Sequence, residues 1–114
     1  MTVRTWSYAG GTNASGGLIP RGGFDPTVSL YDEARNLIVS NRDGGCPAVN
    51  ADAVTTFCWD SLLQVTLPAG TYQVVLTQSE NMPNGPTLLD SFVYNGLGNF
   101  TSAPAGSPTG FWDL

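Results

Sequence analysis

The sequence contains no histidine and no lysine, and its four cations are all arginines: Arg4, Arg21, Arg35 and Arg42. Without histidine there is no Ser-His-Asp or Cys-His pair and no imidazole-ligated zinc or haem. Without lysine there is no Schiff-base nucleophile and no phosphate-gripping P-loop lysine. A Lys-Asn isopeptide crosslink is excluded in the same way. Charge itself is scarce: 11% of residues are charged, and nine acids against four cations leave a net charge of -5. Such a surface repels phosphate, so nucleic acid is not an expected partner. No stretch of 18 apolar residues occurs that would span a bilayer as a helix. A glycosidase would need two carboxylates held across a cleft, and nothing in the placement of the acids selects a pair. No enzyme is expected; a binding or structural domain remains.

What is present is apolar and turn-rich: 41% hydrophobic residues, 14 glycines, 8 prolines, and 3 Trp, 4 Tyr and 5 Phe among 114 residues. That length corresponds to one domain, residues 1–114, able to bury a core of its own. The start, Met1-Thr2-Val3-Arg4, has no apolar signal-peptide core, so Met1 is read as the start of an excised or mature domain. The dominant period is two. Val3–Tyr8 reads as a first strand, with Trp6 and Tyr8 on one face. Thr27–Asp32 alternates Val28 and Leu30 with Ser29 and Tyr31, and a turn over Glu33–Asn36 leads into Leu37–Ser40, which is a hairpin signature. Asn41–Asp60 is one long loop of Gly, Pro, Asn, Asp and Ala; loops of that length are usually functional or tied down. Leu62–Leu67, the turn Pro68-Ala69-Gly70 and Thr71–Gln78 form the clearest alternating pair and predict a second hairpin. Leu89–Tyr94 predicts a further strand. Apolar residues nowhere recur at helical spacing over three turns. The fold class is therefore all-β, an antiparallel β-sandwich, with a small closed barrel as the alternative.

Cys46 and Cys58 lie in the long loop, twelve positions apart and without metal-knuckle spacing. A disulfide closing that loop would stabilise by about 2–3 kcal/mol and would point to an oxidising compartment. Two separate buried thiols are the alternative.

The order of motifs resembles a known group. Asp25–Asp32, then Asn41-Arg42-Asp43-Gly44-Gly45, then Leu67–Leu76 are similar to the bacterial pre-peptidase C-terminal-like domains. These pair a DxxLxLYD strand with an L-x-A-G-T-Y segment. Thr5–Ala14, Gly22–Pro26 and Gly110–Asp113 extend the resemblance to exported bacterial domains that accompany a C-terminal PEP-type sorting anchor. The resemblance implies a jelly-roll-like sandwich on an extracellular or cell-surface protein, without catalysis. It also implies calcium, polysaccharide or another surface polymer as ligand. Arg42 stands where those relatives carry the first of two adjacent acids, which replaces a cation ligand with a cation.

Calcium takes six to eight oxygens. Asp25, Asn41, Asp43, Asp52 and Asp60 flank or lie in loops able to meet at one end of a sandwich, and these are the candidate metal ligands, although no EF-hand spacing is present. The alternative is that Asp25 and Asp60 cap turns and Asp43 occupies the turn before Gly44-Gly45. Among the aromatics, Trp6 and Tyr72 are expected in the core. Trp59, between Cys58 and Asp60, is the candidate ligand-binding ring, and Trp112 near the end is a further aromatic. Together these features predict an exported, non-catalytic module for surface attachment or assembly, with calcium as candidate cofactor. A glycan or other cell-surface polymer is the expected partner. The alternatives are a self-associating subunit of a surface fibre or sheath and a carbohydrate-binding module.

Overall fold

A computed structural model describes residues 1–96 of the chain. Trp112 and the Gly110–Asp113 motif lie outside the described residues. Within them, seven short strands run in the order β1 (Thr2–Arg4), β2 (Gly11–Thr12), β3 (Leu18–Ile19), β4 (Pro26–Tyr31), β5 (Leu37–Asn41), β6 (Leu62–Gln64) and β7 (Gln73–Gln78), and a 3-10 turn covers Leu88–Asp90. They form three antiparallel sheets: β1 with β6, β2 with β3, and β5-β4-β7 with β4 in the middle. The all-β class holds.

The first predicted hairpin forms as expected. β4 and β5 pair from Val28↔Asn41 to Tyr31↔Leu37, with a register shift at Leu30/Tyr31. Their turn is closed by Asp32, whose carboxylate accepts the Asn36 backbone N–H at 2.8 Å. Accepting that bond holds the Asp32 carboxyl below its ordinary value.

The second predicted hairpin does not form. β6 pairs with β1 in the register Val3↔Leu63, and Val65 continues that ladder by exchanging bonds with Met1. β7 pairs instead with β4, from Pro26↔Gln78 to Tyr31↔Gln73. Alternation requires an extended chain but does not name its neighbour. Val65, Leu67 and Tyr72 carry the chain across the core, packing against Val28, Leu30 and Leu63, so the segment links two sheets rather than turning back within one. The Tyr72 hydroxyl donates to the Pro68 carbonyl at 2.7 Å and closes the Pro68–Gly70 turn.

Two other expectations are corrected. The first strand stops at Arg4, because Tyr8 and Ala9 turn their N–H groups to the Asp60 carboxylate rather than to a ladder. Leu89–Tyr94 is not a strand. The Thr87 side chain and the Asp90 carboxylate cap each other's backbone in a capping box, which favours the 3-10 turn, and Phe92 retains only an isolated bridge to Pro83.

All six residues of β4 are buried. Val28 and Leu30 form the core with Leu63 of β6, and Val3 and Val39 pack against it. The opposite face carries Thr27, Ser29 and Tyr31, where Met82 approaches the Thr27 hydroxyl at 3.9 Å. Trp6 and Tyr72, expected in the core, are half-buried, whereas Tyr8 is fully buried.

Candidate functional site

Between β5 and β6 the chain runs through residues 42–61 with almost no regular structure, yet its backbone is held at several points. Cys46 and Cys58 are joined in a disulfide with Cα atoms 5.4 Å apart, and the Cys46–Pro47 peptide is cis. Gly44 donates to the Asp60 carbonyl at 2.7 Å, and a Cβ there would meet Val49 Cγ1 at 2.6 Å, so only glycine permits this approach.

Each acid placed in this region by the sequence has a distinct environment. Asp60 is 1% exposed and accepts from the Tyr8 N–H (3.1 Å), the Ala9 N–H (2.9 Å) and the Thr5 hydroxyl (2.9 Å). Asp52 is ion-paired with Arg21 through both carboxylate oxygens and accepts the Val54 and Thr55 N–H groups. Although burial opposes ionisation, the Arg21 guanidinium and these N–H donors hold the Asp52 carboxyl well below the ordinary range, and Asp52 in turn raises Arg21. Asn41 uses its carbonyl oxygen for the Leu62 N–H (3.0 Å) and its amide nitrogen for the Asp43 carbonyl (3.2 Å). These three residues spend their oxygens on the chain itself.

Asp25 and Asp43 differ. Asp25 is 7% exposed, and its Oδ1 finds no hydrogen-bond partner among the described residues. Burial first, then the Asp43 charge, push its carboxyl up to about 7; Asp43 is also raised, chiefly by burial. Arg42 is the local cation. Its guanidinium lies 3.5 Å from Asp43 and 2.7 Å from Glu80, and its charge favours the ionised form of Asp25. The arginine that departs from the acidic pattern noted in the sequence thus pairs with Asp43 and Glu80. Among the described residues, no group of three or more His, Cys, Asp or Glu side chains is arranged to hold a metal ion. Of the five candidate ligands, Asp25 lies close enough to Asp43 and Asp60 to feel both charges, whereas Asp52 is held by Arg21.

Aromatic rings meet in the same loop, beside Cys58. Phe57 stacks on Trp59 at 4.4 Å between centroids and 11° between planes, and Tyr8 lies against Trp59 at 5.1 Å and 40°. The Tyr8 hydroxyl shares a hydrogen bond with Thr55 at 2.9 Å, which ties the ring stack to the Asp52 turn. Trp59 is half-buried, while Phe57 and Val54 are exposed at 38% and 63%. The outward ring is therefore Phe57, with Trp59 as its support. Sequence reasoning singled out Trp59 and missed Phe57, two positions away beside the second cysteine. It also missed Thr5, Arg21 and Ser61. The Ser61 hydroxyl lies within 2.9–3.2 Å of the carbonyls of Pro26, Asn41 and Arg42. No spacing rule signals contacts that close over several tens of residues.

No protein-family model, curated protein or solved structure matches this chain.

Proposed function

We propose that the chain is a non-catalytic, exported β-sandwich module of jelly-roll type that attaches to a cell-surface glycan through the aromatic rings on either side of Cys58. The observation that carries this reading is the Phe57–Trp59 stack, set beside exposed Val54 on a backbone already tied by the disulfide, the Arg21–Asp52 pair and the Asp60 carboxylate. A flat, uncharged ring held in place before binding suits the C–H face of a sugar, because the π-face attracts those hydrogens and little side-chain entropy is lost. The sandwich reading rests on the packing of β1 and β6 residues over Val28 and Leu30. The disulfide supports an oxidising, extracellular location, and among the described residues no helix is long and apolar enough to cross a membrane.

The test is retention on immobilised cellulose, chitin and peptidoglycan. The wild-type chain is retained on at least one, Phe57→Ala and Trp59→Ala elute with the void, and Leu89→Ala, an exposed apolar change elsewhere, is retained. Passage through all three, or retention unchanged by Phe57→Ala, overturns the proposal. A calcium-binding role narrows to Asp25 and Asp43, where calcium would have to displace Arg42. In that reading millimolar calcium raises the melting midpoint relative to EDTA, and an unchanged midpoint removes it.

A further inference from the structure

The sheet β5-β4-β7 ends at β7, and among the described residues no strand pairs with its outer edge. Register places Leu76 beside Val28 and Val74 beside Leu30, on the face that carries the core. Yet Val28 and Leu30 are 1% and 0% exposed, while Val74 and Leu76 are 45% and 53% exposed. The packed layer thus stops at β4 and leaves the apolar face of β7 open.

Among the described residues, β7 lacks several of the usual protections of an edge. Lysine is absent from the chain, Gln73–Gln78 contains no proline, and the register shift of the sheet lies on the β5 side of β4. Charge is absent too: from Ser61 to Ser79 no residue is charged, although the chain carries -5 overall. At neutral pH two like-charged copies repel over most approaches, and this is the stretch where they meet without opposing charges.

We propose that β7 pairs antiparallel with β7 of a second copy of this chain, in a twofold arrangement centred on Val75. A twofold axis normal to the sheet requires paired residues to share a face. Centring on Val75 sets Val74 opposite Leu76 twice, Val75 opposite itself, and Gln73 opposite Thr77. The exposed apolar residues then cover one another, and no charged pair is created. The six-stranded sheet runs β5-β4-β7 into its symmetry copy. Because such an interface is isologous, it closes at two copies and produces a dimer, not a fibre. This goes beyond the glycan reading and uses residues separate from the Phe57–Trp59 stack.

Analytical ultracentrifugation of the full chain over a concentration series tests it. The wild type shows a monomer–dimer equilibrium, Leu76→Lys is monomeric throughout, and Leu18→Lys, at another exposed apolar site, dimerises like the wild type. Opposed Cα atoms in such a pair lie about 4.5–5.5 Å apart, within disulfide range. Val75→Cys therefore forms an oxidised crosslinked dimer, and Val74→Cys does not. A wild type that stays monomeric, a dimer that survives Leu76→Lys, or crosslinking at 74 rather than 75 overturns the proposal. Glycan retention of Leu76→Lys separates the two readings: a monomer still retained leaves the glycan reading intact whatever happens at β7.

Discussion

The disulfide loop and strand β7 are opposites. The loop has almost no ladder, yet Asp60, Asp52, Asn41 and Ser61 bind its backbone and that of neighbouring segments at short range. β7 is six residues of regular strand, but among the described residues only one of its edges meets another strand, and its core-side residues are half open. Order in this molecule follows from where backbone polar groups find partners, not from local regularity. An irregular segment whose N–H groups end on buried carboxylates is rigid. A regular strand satisfied on one side remains able to accept another chain.

The contrast can be broken most severely at Asp60. Asp60→Ala leaves the Tyr8 and Ala9 N–H groups and the Thr5 hydroxyl without their acceptor. A loss of about 3–5 kcal/mol in urea unfolding is expected, since each unsatisfied buried donor costs about 1–3 kcal/mol. Opening the Cys46–Cys58 bridge by Cys46→Ser with Cys58→Ser comes next, at about 3 kcal/mol for a loop of this size. An unchanged urea midpoint in the double serine variant would show that the polar ties alone order the loop.

Acidity sharpens the contrast within the loop region. Asp25 has a folded pKa of about 7, above the roughly 3.9 of an unfolded aspartate, so the folded state holds the extra proton between those values. Its contribution is therefore greatest at low pH and is lost as pH rises from about 4 to 7. Asp52 is depressed, so its contribution is present above about 4 and is lost as pH falls below that value. Together they place the maximum melting temperature in mildly acid solution. Asp25→Asn flattens the alkaline side of the profile, and a decline between pH 4 and 7 that survives this substitution would assign it elsewhere. Smallest is the effect of Leu76→Thr on the monomer. An exposed edge substitution changes unfolding free energy by no more than about 0.5 kcal/mol, measured at concentrations too low for association. A larger loss would mean that Leu76 is already packed within its own chain.

Some of this was readable in the order of residues. The turn Glu33–Asn36 between two alternating runs identified the β4–β5 hairpin, because a short polar turn leaves adjacent strands little choice of partner. The same logic failed at Pro68–Gly70, where a longer link packs Val65, Leu67 and Tyr72 across the core. Trp59 pointed to the loop in which the rings meet, but Phe57 takes the outward position because Tyr8, from a remote segment, lies against Trp59. The five oxygen ligands were plausible by type and proximity in the chain. Their oxygens are differently employed: those of Asp60, Asp52 and Asn41 accept from backbone donors, which no spacing in the chain announces.

Composition and period alone determined that the chain is all-β, that no histidine or lysine chemistry is available to it, and that two cysteines share one loop. These are properties of residue types and of side chains alternating every second position, which need no knowledge of distant partners. Which strand lies beside which, which carboxylate ends on which N–H, and where the apolar layer stops short were settled by tertiary packing. Those outcomes depend on segments some fifty residues apart, as Tyr8 and Asp60 are, competing for the same buried hydrogen bonds and the same apolar cover.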